Sequence, residues 1–404
     1  MTLRAATLAV AALLTAVLAA VDAHATLTRT RALGGGADYL EDDAGAMTWY
    51  AALLDYPDQA QLALGDYDHA ADGAWNQRIS GGGGALHAAV GPGGRWATVG
   101  VYAQEDLPEG EPGGGINLLA ARRFGRLGVA LRGGFTSYSR GANSTETDGY
   151  GESLYYHSYG AGARWDASDA VYGDLAAEIV NVQGDAAEEG LWRLPTQQTW
   201  STWGVRTRWF VGMGETVAVV PLLDYRRDDR QVYDETVAAP ADRHAWRTAA
   251  GVGLNLLPDG DNLVVVSAEY RQGRERHDRL PGASTMWEYD AADLRYKEIH
   301  VRVGLESRAL SWLTVRGGLA YQRLQRELHA ERGHTLPDQP DRWREDKDID
   351  VLAPVTLGLG LHLGALHADV LLNGRHPATW GTFPFGPSSA ERGTYTSVTV
   401  GYDF

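Results

Sequence analysis

Thr396-Ser397-Val398-Thr399-Val400-Gly401-Tyr402-Asp403-Phe404 ends the chain on alternating side-chain character. In an extended strand successive side chains point to opposite faces, so Thr396, Val398, Val400, Tyr402 and Phe404 share one face. Ser397, Thr399, Gly401 and Asp403 share the other. One face suits lipid and the other water. Taken alone, the same alternation suits the last strand of a soluble sandwich. The rest of the chain decides between the two.

This ending resembles the terminal strand of bacterial outer-membrane β-barrels. The resemblance implies that Val398, Val400, Tyr402 and Phe404 form a signal read by the barrel-assembly machinery. At the other end, Arg4 precedes an apolar run from Ala5 to Val21, and Ala23-His24-Ala25 places small residues at both cleavage-determining positions. That pattern predicts a secretory signal peptide over 1–25 with cleavage after Ala25. The run is Ala-rich and short for a hydrocarbon core that takes about 20 apolar residues, and nothing later in the sequence reads as a spanning helix.

Composition narrows the choice. The chain carries Lys+Arg 36 against Asp+Glu 52, a formal charge of -16, which argues against nucleic acid as a partner. It contains no cysteine, so neither disulfides nor thiolate chemistry is available to it. Gly 50, Trp 13 and Tyr 19 accompany a mean hydropathy of -0.29, too polar for a helical membrane bundle and rich in interfacial aromatics. A barrel with a wet lumen reconciles these facts. Length alone would also suit two soluble domains, but no Pro/Ser linker marks a boundary.

Alternation recurs along the chain. Ile299, Val301, Val303 and Leu305 interleave with Glu298, His300, Arg302, Gly304 and Glu306; Leu313, Val315, Gly317, Leu319 and Tyr321 interleave with Thr314, Arg316, Gly318, Ala320 and Gln322. Tight-turn chemistry joins some segments, as at Phe124-Gly125-Arg126, Asp166-Ala167-Ser168-Asp169 and Val211-Gly212-Met213-Gly214. Longer polar stretches join the others: 105–114, 141–153, 184–195, 229–243, 274–293 and 327–348. Short periplasmic turns and long outer loops are the usual asymmetry of a transmembrane barrel. The expectation is an all-β, antiparallel, up-and-down barrel over 61–404. It would have about sixteen strands, with fourteen as the alternative, and both termini in the periplasm. Trp165, Trp209 and Trp312 fall beside short turns, and Trp203 and Trp246 toward long loops, as two girdles in outer-membrane lipid would require.

In this register Arg132, Arg164, Arg206, Arg208, Arg302 and Arg316 point inward with Glu178, Asp224, Glu269, Glu298, Glu306 and Asp369. Charges on the lipid face would be costly, so these residues are expected to line the lumen. They either face water or form a structural network of ion pairs. Inward Gly160, Gly162, Gly251, Gly253, Gly358 and Gly360 leave room for a channel or an inserted plug, or relieve strand bending.

Residues 26–60 read differently, as a periplasmic or plug segment. Arg31-Ala32-Leu33-Gly34-Gly35-Gly36-Ala37-Asp38-Tyr39-Leu40-Glu41-Asp42-Asp43 opens Gly-rich and turns acidic, and Ala44 to Leu54 reads as a short apolar helix. The segment resembles the amino-terminal part of the long-chain fatty-acid transporter (FadL-like) and PorV-like barrel superfamily. In that family a Leu-Gly-x-Gly-Gly run precedes Asp-Asp-Ala and an aromatic-Asn-Pro-Ala-x-Leu stretch, and the segment lies in or under the barrel. Here Ala51 stands for the Asn and Ala52 for the Pro, and the family usually has fourteen strands. The alternative is a disordered periplasmic tail.

Signals for catalysis and metal binding are sparse. His157-Ser158 is the nearest nucleophile and base, but adjacent strand residues face opposite ways. No Gly-x-Ser-x-Gly elbow or His-Glu-x-x-His helix occurs. Asp228-Asp229 and the 341–350 acidic run could hold Ca²⁺ or simply be solvated. No cofactor is expected. Three classes remain: a channel or transporter for a small-molecule solute, a hydrophobic one included; an envelope or secretion scaffold; and a barrel hydrolase.

Overall fold

The structure is a computed structural model that describes residues 27–35, 37–41, 43–65, 83–91, 96–106, 112–140, 152–186, 196–234, 241–258, 261–277, 291–331, 342–352, 355–372 and 396–404. The expected signal peptide lies outside the described residues.

One antiparallel sheet of 17 strands contains β1 (Gln59–Gly65), β2 (Gly83–Val90), β3 (Ala97–Asp106), β4 (Pro112–Phe124), β5 (Leu127–Arg140) and β6 (Glu152–Ser168). It continues through β7 (Val171–Ala186), β8 (Thr196–Gly212), β9 (Val217–Asp234), β10 (Ala241–Leu256), β11 (Asn262–His277) and β12 (Ala291–Leu310). The last strands are β13 (Leu313–Glu331), β14 (Arg342–Leu352), β15 (Thr356–Leu363), β16 (Leu366–Leu372) and β17 (Thr396–Asp403). β14 pairs with the far half of β13 and β15 with its near half, so the two are one interrupted stave and the 17 strands make sixteen staves. β17 pairs with β1, and that contact closes the barrel.

Closure converges on Asp58, which sits at φ 57, a left-handed conformation that Asp tolerates better than most residues. The kink turns the chain into β1. Its carboxylate accepts the Ala89 N–H at 2.8 Å and its carbonyl accepts the Phe404 N–H at 2.9 Å. In β17 Thr399 and Gly401 are buried inward, while Phe404 is 61% exposed on the outside. Removing Phe404 loses that backbone bond and one aromatic of the outer row. The expected result is a several-fold drop in heat-modifiable, membrane-inserted protein on denaturing gels, and undiminished assembly would count against an assembly role for this residue.

The outer wall is apolar and exposed along its middle, including Ile116, Leu131, Leu175, Ile179, Leu223, Val252, Ile299 and Leu305. An apolar belt of this extent is a membrane surface rather than a soluble one. Trp165 and Trp209 meet edge to face at 6.0 Å near the short turns. Trp203 and Trp246 are exposed on the outer wall toward the other end.

Two expectations need correction. The stretches 229–243, 274–293 and 327–348 are not loops throughout, since β9 runs to Asp234, β13 to Glu331, and β14 begins at Arg342. Beyond the apolar belt both faces of a strand meet water, so the hydrogen-bond ladder continues while the alternation that reveals it fades. The apolar stretch before Leu54 is not an α-helix either. It forms 3₁₀ turns at Asp43–Met47 and Tyr50–Asp55, while a short helix, α1 (Leu27–Ala32), precedes the Gly-rich run.

Candidate functional site

The described residues between 27 and 58 lie inside the barrel. α1 packs on β13 and β15–β17, the turn at Ala37–Tyr39 on β9 and β10, and the turn at Tyr50–Asp55 on β3–β7, so the segment spans the lumen. Tyr39, Trp49, Tyr50 and Leu53 are all but fully buried. The wall makes room for them with glycine. Tyr50 occupies the space a side chain would need at Gly160 and Gly162, and Tyr39 does so at Gly251 and Gly253. Ala32 lies over Gly358, Leu33 over Gly304, and Leu54 over Gly128. Gly360 differs, because its space is taken by Arg316 of the wall itself.

The inner wall holds the segment through carboxylates that each gather arginines. Asp174 accepts from Arg164 Nε at 2.7 Å and Nη2 at 2.9 Å, and from Arg208 Nε at 2.9 Å. These residues stand side by side on β6, β7 and β8 because Arg164 is in register with Asp174, and Asp174 with Arg208. Arg208 is fully buried. Its Nη1 donates to the carbonyls of Asp38 at 3.0 Å and Leu40 at 2.9 Å, and its guanidinium lies 4.6 Å from the Trp49 ring centroid. Arg164 also reaches Asp55. One wall carboxylate thus orients two arginines onto the segment, Arg208 at the acidic turn and Arg164 at the end of the Tyr50–Asp55 turn.

Three further carboxylates repeat the arrangement. Glu178 pairs with Arg206 at 3.1 Å and Arg132 at 3.6 Å and accepts the Tyr50 hydroxyl at 3.2 Å. Glu269 pairs with Arg271, lies 3.5 Å from Arg302, and accepts the Tyr39 hydroxyl at 3.1 Å. Glu306 joins Arg29 of α1 at 2.7 Å to Arg316 of β13 at 2.5 Å, and Arg316 continues to Asp369. Burial, reinforced by the Glu269 charge, holds the Tyr39 phenol well above its ordinary range, so it remains a donor. Burial acts in the same direction on Tyr50, beside Glu178.

Among the residues singled out from sequence, Glu298 bonds to His300 at 2.9 Å, and one oxygen of Asp224 is buried with no hydrogen-bond partner among the described residues. Asp174, Arg29, Tyr39, Trp49 and Tyr50 were not singled out. Asp174 shares the parity of Glu178 on one strand, a signal that would have found it. Arg29 carries no such signal, because nothing local marks α1 as a ligand of Glu306. His157 packs outward on Phe135 at 5.3 Å while Ser158 is buried inward within 3.5 Å of Asn117, so the two do not form a dyad. Asp228 and Asp229 are engaged by Arg226, Arg227 and His244, and Asp341 lies outside the described residues. Among the described residues no cluster of metal-ligating groups occurs.

Above Glu178, toward the long-loop end, the inner faces of β6–β8 carry a buried apolar cluster interleaved with Ser158 and Thr202. Tyr156 and Trp200 meet edge to face at 5.8 Å beside Val180 and Val182.

No protein-family model and no curated protein sequence matches the chain. Among solved structures it is similar to the Pseudomonas putida toluene transporter TodX, at 11% identity and a TM-score of 0.42 over 95% of this chain and 99% of that one. It is similar to a Pseudomonas aeruginosa FadL homologue at 12% identity and a TM-score of 0.43, over 95% and 99%. The siderophore receptor PiuA from Acinetobacter baumannii matches over 68% of this chain at 8% identity and a TM-score of 0.43, and this chain spans 53% of that receptor's length.

Proposed function

We propose that the protein is an outer-membrane channel or transporter for small solutes, gated by its own amino-terminal segment. The observation that carries this reading is the manner in which residues 27–58 are held. A segment serving only to fill a core would be held by apolar packing. This one also bonds the wall through Arg29–Glu306, Tyr39–Glu269 and Tyr50–Glu178, contacts that water can replace if the segment shifts. The buried apolar cluster of Tyr156, Val180, Val182 and Trp200 above it supports a solute with a hydrophobic part, because it would present apolar surface to that solute once its covering shifts. The exposed apolar belt and the Trp residues at its two ends support insertion in the outer membrane.

The test is flux through the purified barrel in proteoliposomes, with small sugars and small monoaromatic compounds as separate probes. Uptake of the aromatic probes above that of protein-free vesicles is the expected result. No flux of either class, with the barrel folded, would favour the scaffold reading instead.

A further inference from the structure

We propose that the outer wall carries a binding site for a phosphate-bearing lipid headgroup, formed by Arg274, Arg295 and Lys297. The site rests on the outer-membrane reading of the barrel, but no function of the lumen enters it.

A cavity of about 340 Å³ opens on β10–β13, and its lining includes Trp246, Gln272, Arg274, Arg295, Lys297 and Gln325. Parity places all six on the outside. On β12, Tyr296 and Glu298 are buried inward whereas Arg295, Lys297 and Ile299 are exposed, and on β11 Gly273 and Glu275 are buried whereas Gln272 and Arg276 are exposed. The register stacks them in two rungs. Trp246, Arg274 and Arg295 are direct neighbours across β10–β12, and Gln272, Lys297 and Gln325 are neighbours across β11–β13.

Two like charges directly opposite each other on a sheet are unfavourable. Arg274 and Arg295 are tolerated here because both bond Asp293, at 2.7 Å and 3.2 Å. That single carboxylate serves two guanidinium groups. Glu327, the remaining acid at the cavity, is engaged by Arg344 at 3.0 Å and His329 at 2.8 Å. Lys297 makes no ion pair among the described residues, so the cavity keeps a positive excess on a chain whose net charge is -16. The amide of Gln272 lies beside Lys297 in the rung and adds a neutral donor, while the amide nitrogen of Gln325 on its other side is engaged by Asp348 at 3.4 Å.

Height on the wall identifies the anion's carrier. The next outward-facing rung toward the short turns is Tyr270 opposite Ile299, both exposed in the apolar belt. Lys297 is two residues beyond Ile299, about 7 Å along the strand. It therefore stands where acyl chains give way to headgroups, and the exposed ring of Trp246 beside it suits that boundary. A lipid phosphate offers several acceptor oxygens to three cations and the Gln272 amide, while the lipid's acyl chains lie against the belt below.

The experiment uses purified full-length mature barrel in zwitterionic detergent, titrated with diphosphoryl lipid A and read by native mass spectrometry. The R274Q/R295Q/K297Q variant is compared after its heat-modifiable migration shows that it has folded, with R122Q, an exposed cation on β4, as a control elsewhere on the outer wall. Wild type and R122Q should retain the lipid, and the triple variant should bind on the order of a hundredfold more weakly, from three surface cations acting together. Equal retention by the triple variant, or equal binding of dephosphorylated lipid A, would overturn the proposal. Inorganic phosphate that competes at the same concentration as the lipid would assign the site to a free anion and overturn the lipid assignment. Membrane fractionation reports separately on whether the barrel resides in the outer membrane, so the two failures are distinguishable. Should the triple variant not fold, K297Q alone provides the comparison, and unchanged retention by it would count against the site.

Discussion

Deleting residues 31–54 converts the reconstituted barrel from a closed or briefly opening state to steady, porin-like current in planar bilayers. The reason is geometric. That stretch supplies Tyr39, Trp49, Tyr50 and Leu53, which fill the lumen between β3–β7 and β9–β10, and the wall opposite them is glycine. Gly160, Gly162, Gly251 and Gly253 have no side chains with which to refill the space. The barrel itself closes through β1 and β17 without these residues, so heat-modifiable migration should persist. A less invasive variant makes the same point. A Cβ at Gly253 would stand 2.6 Å from the Tyr39 ring, so G253V should raise the open probability, whereas G133A, with nothing within 4 Å, should not. Unchanged conductance in both the deletion and G253V would mean that the segment does not limit passage, and would move the function toward a scaffold.

D174N should destabilise the folded barrel by about 3–5 kcal/mol, the cost of breaking a buried ion pair from one side. Asp174 is 2% exposed and Arg208 is fully buried, so water cannot replace the lost charge. The neutral amide leaves Arg164 and Arg208 adjacent, sharing Asp55 and two backbone carbonyls as acceptors among the described residues. The measurement is the temperature at which the compact gel form disappears, compared with D348N. Asp348 pairs with Arg323 at 2.7 Å on the exposed surface, where solvent screens the interaction, and its loss should leave that temperature unchanged. A D174N barrel as heat-stable as the wild type would show that the Arg164–Asp174–Arg208 group is not a structural anchor.

The two predictions differ in how far sequence alone could have led to them. Parity places Arg164, Arg206 and Arg208 on one face, because alternation is a local property that any few residues of a strand reveal. The same local reading yields the sixteen staves, the short Gly-containing turns and the outward aromatics. It also marks the empty positions at Gly160, Gly162, Gly251 and Gly253, though not what fills them. Nor can it pair Arg208 with Asp174 in preference to Glu178, since both carboxylates share a face of β7 and only the register of β7 on β8 separates them.

The bond from Arg29 to Glu306 joins residues 277 positions apart, and no periodicity in either segment encodes it. Strand ends beyond the apolar belt were illegible for the opposite reason, since with water on both faces the amphipathic signal vanishes while the ladder goes on. The sequence by itself determined that the chain is an antiparallel β-barrel whose strands each carry an apolar and a polar face, because a period of two residues is written into each strand separately. Only the tertiary structure decided which charges meet and what occupies the lumen, because those depend on the stagger of neighbouring strands and on a segment brought back through the closed ring.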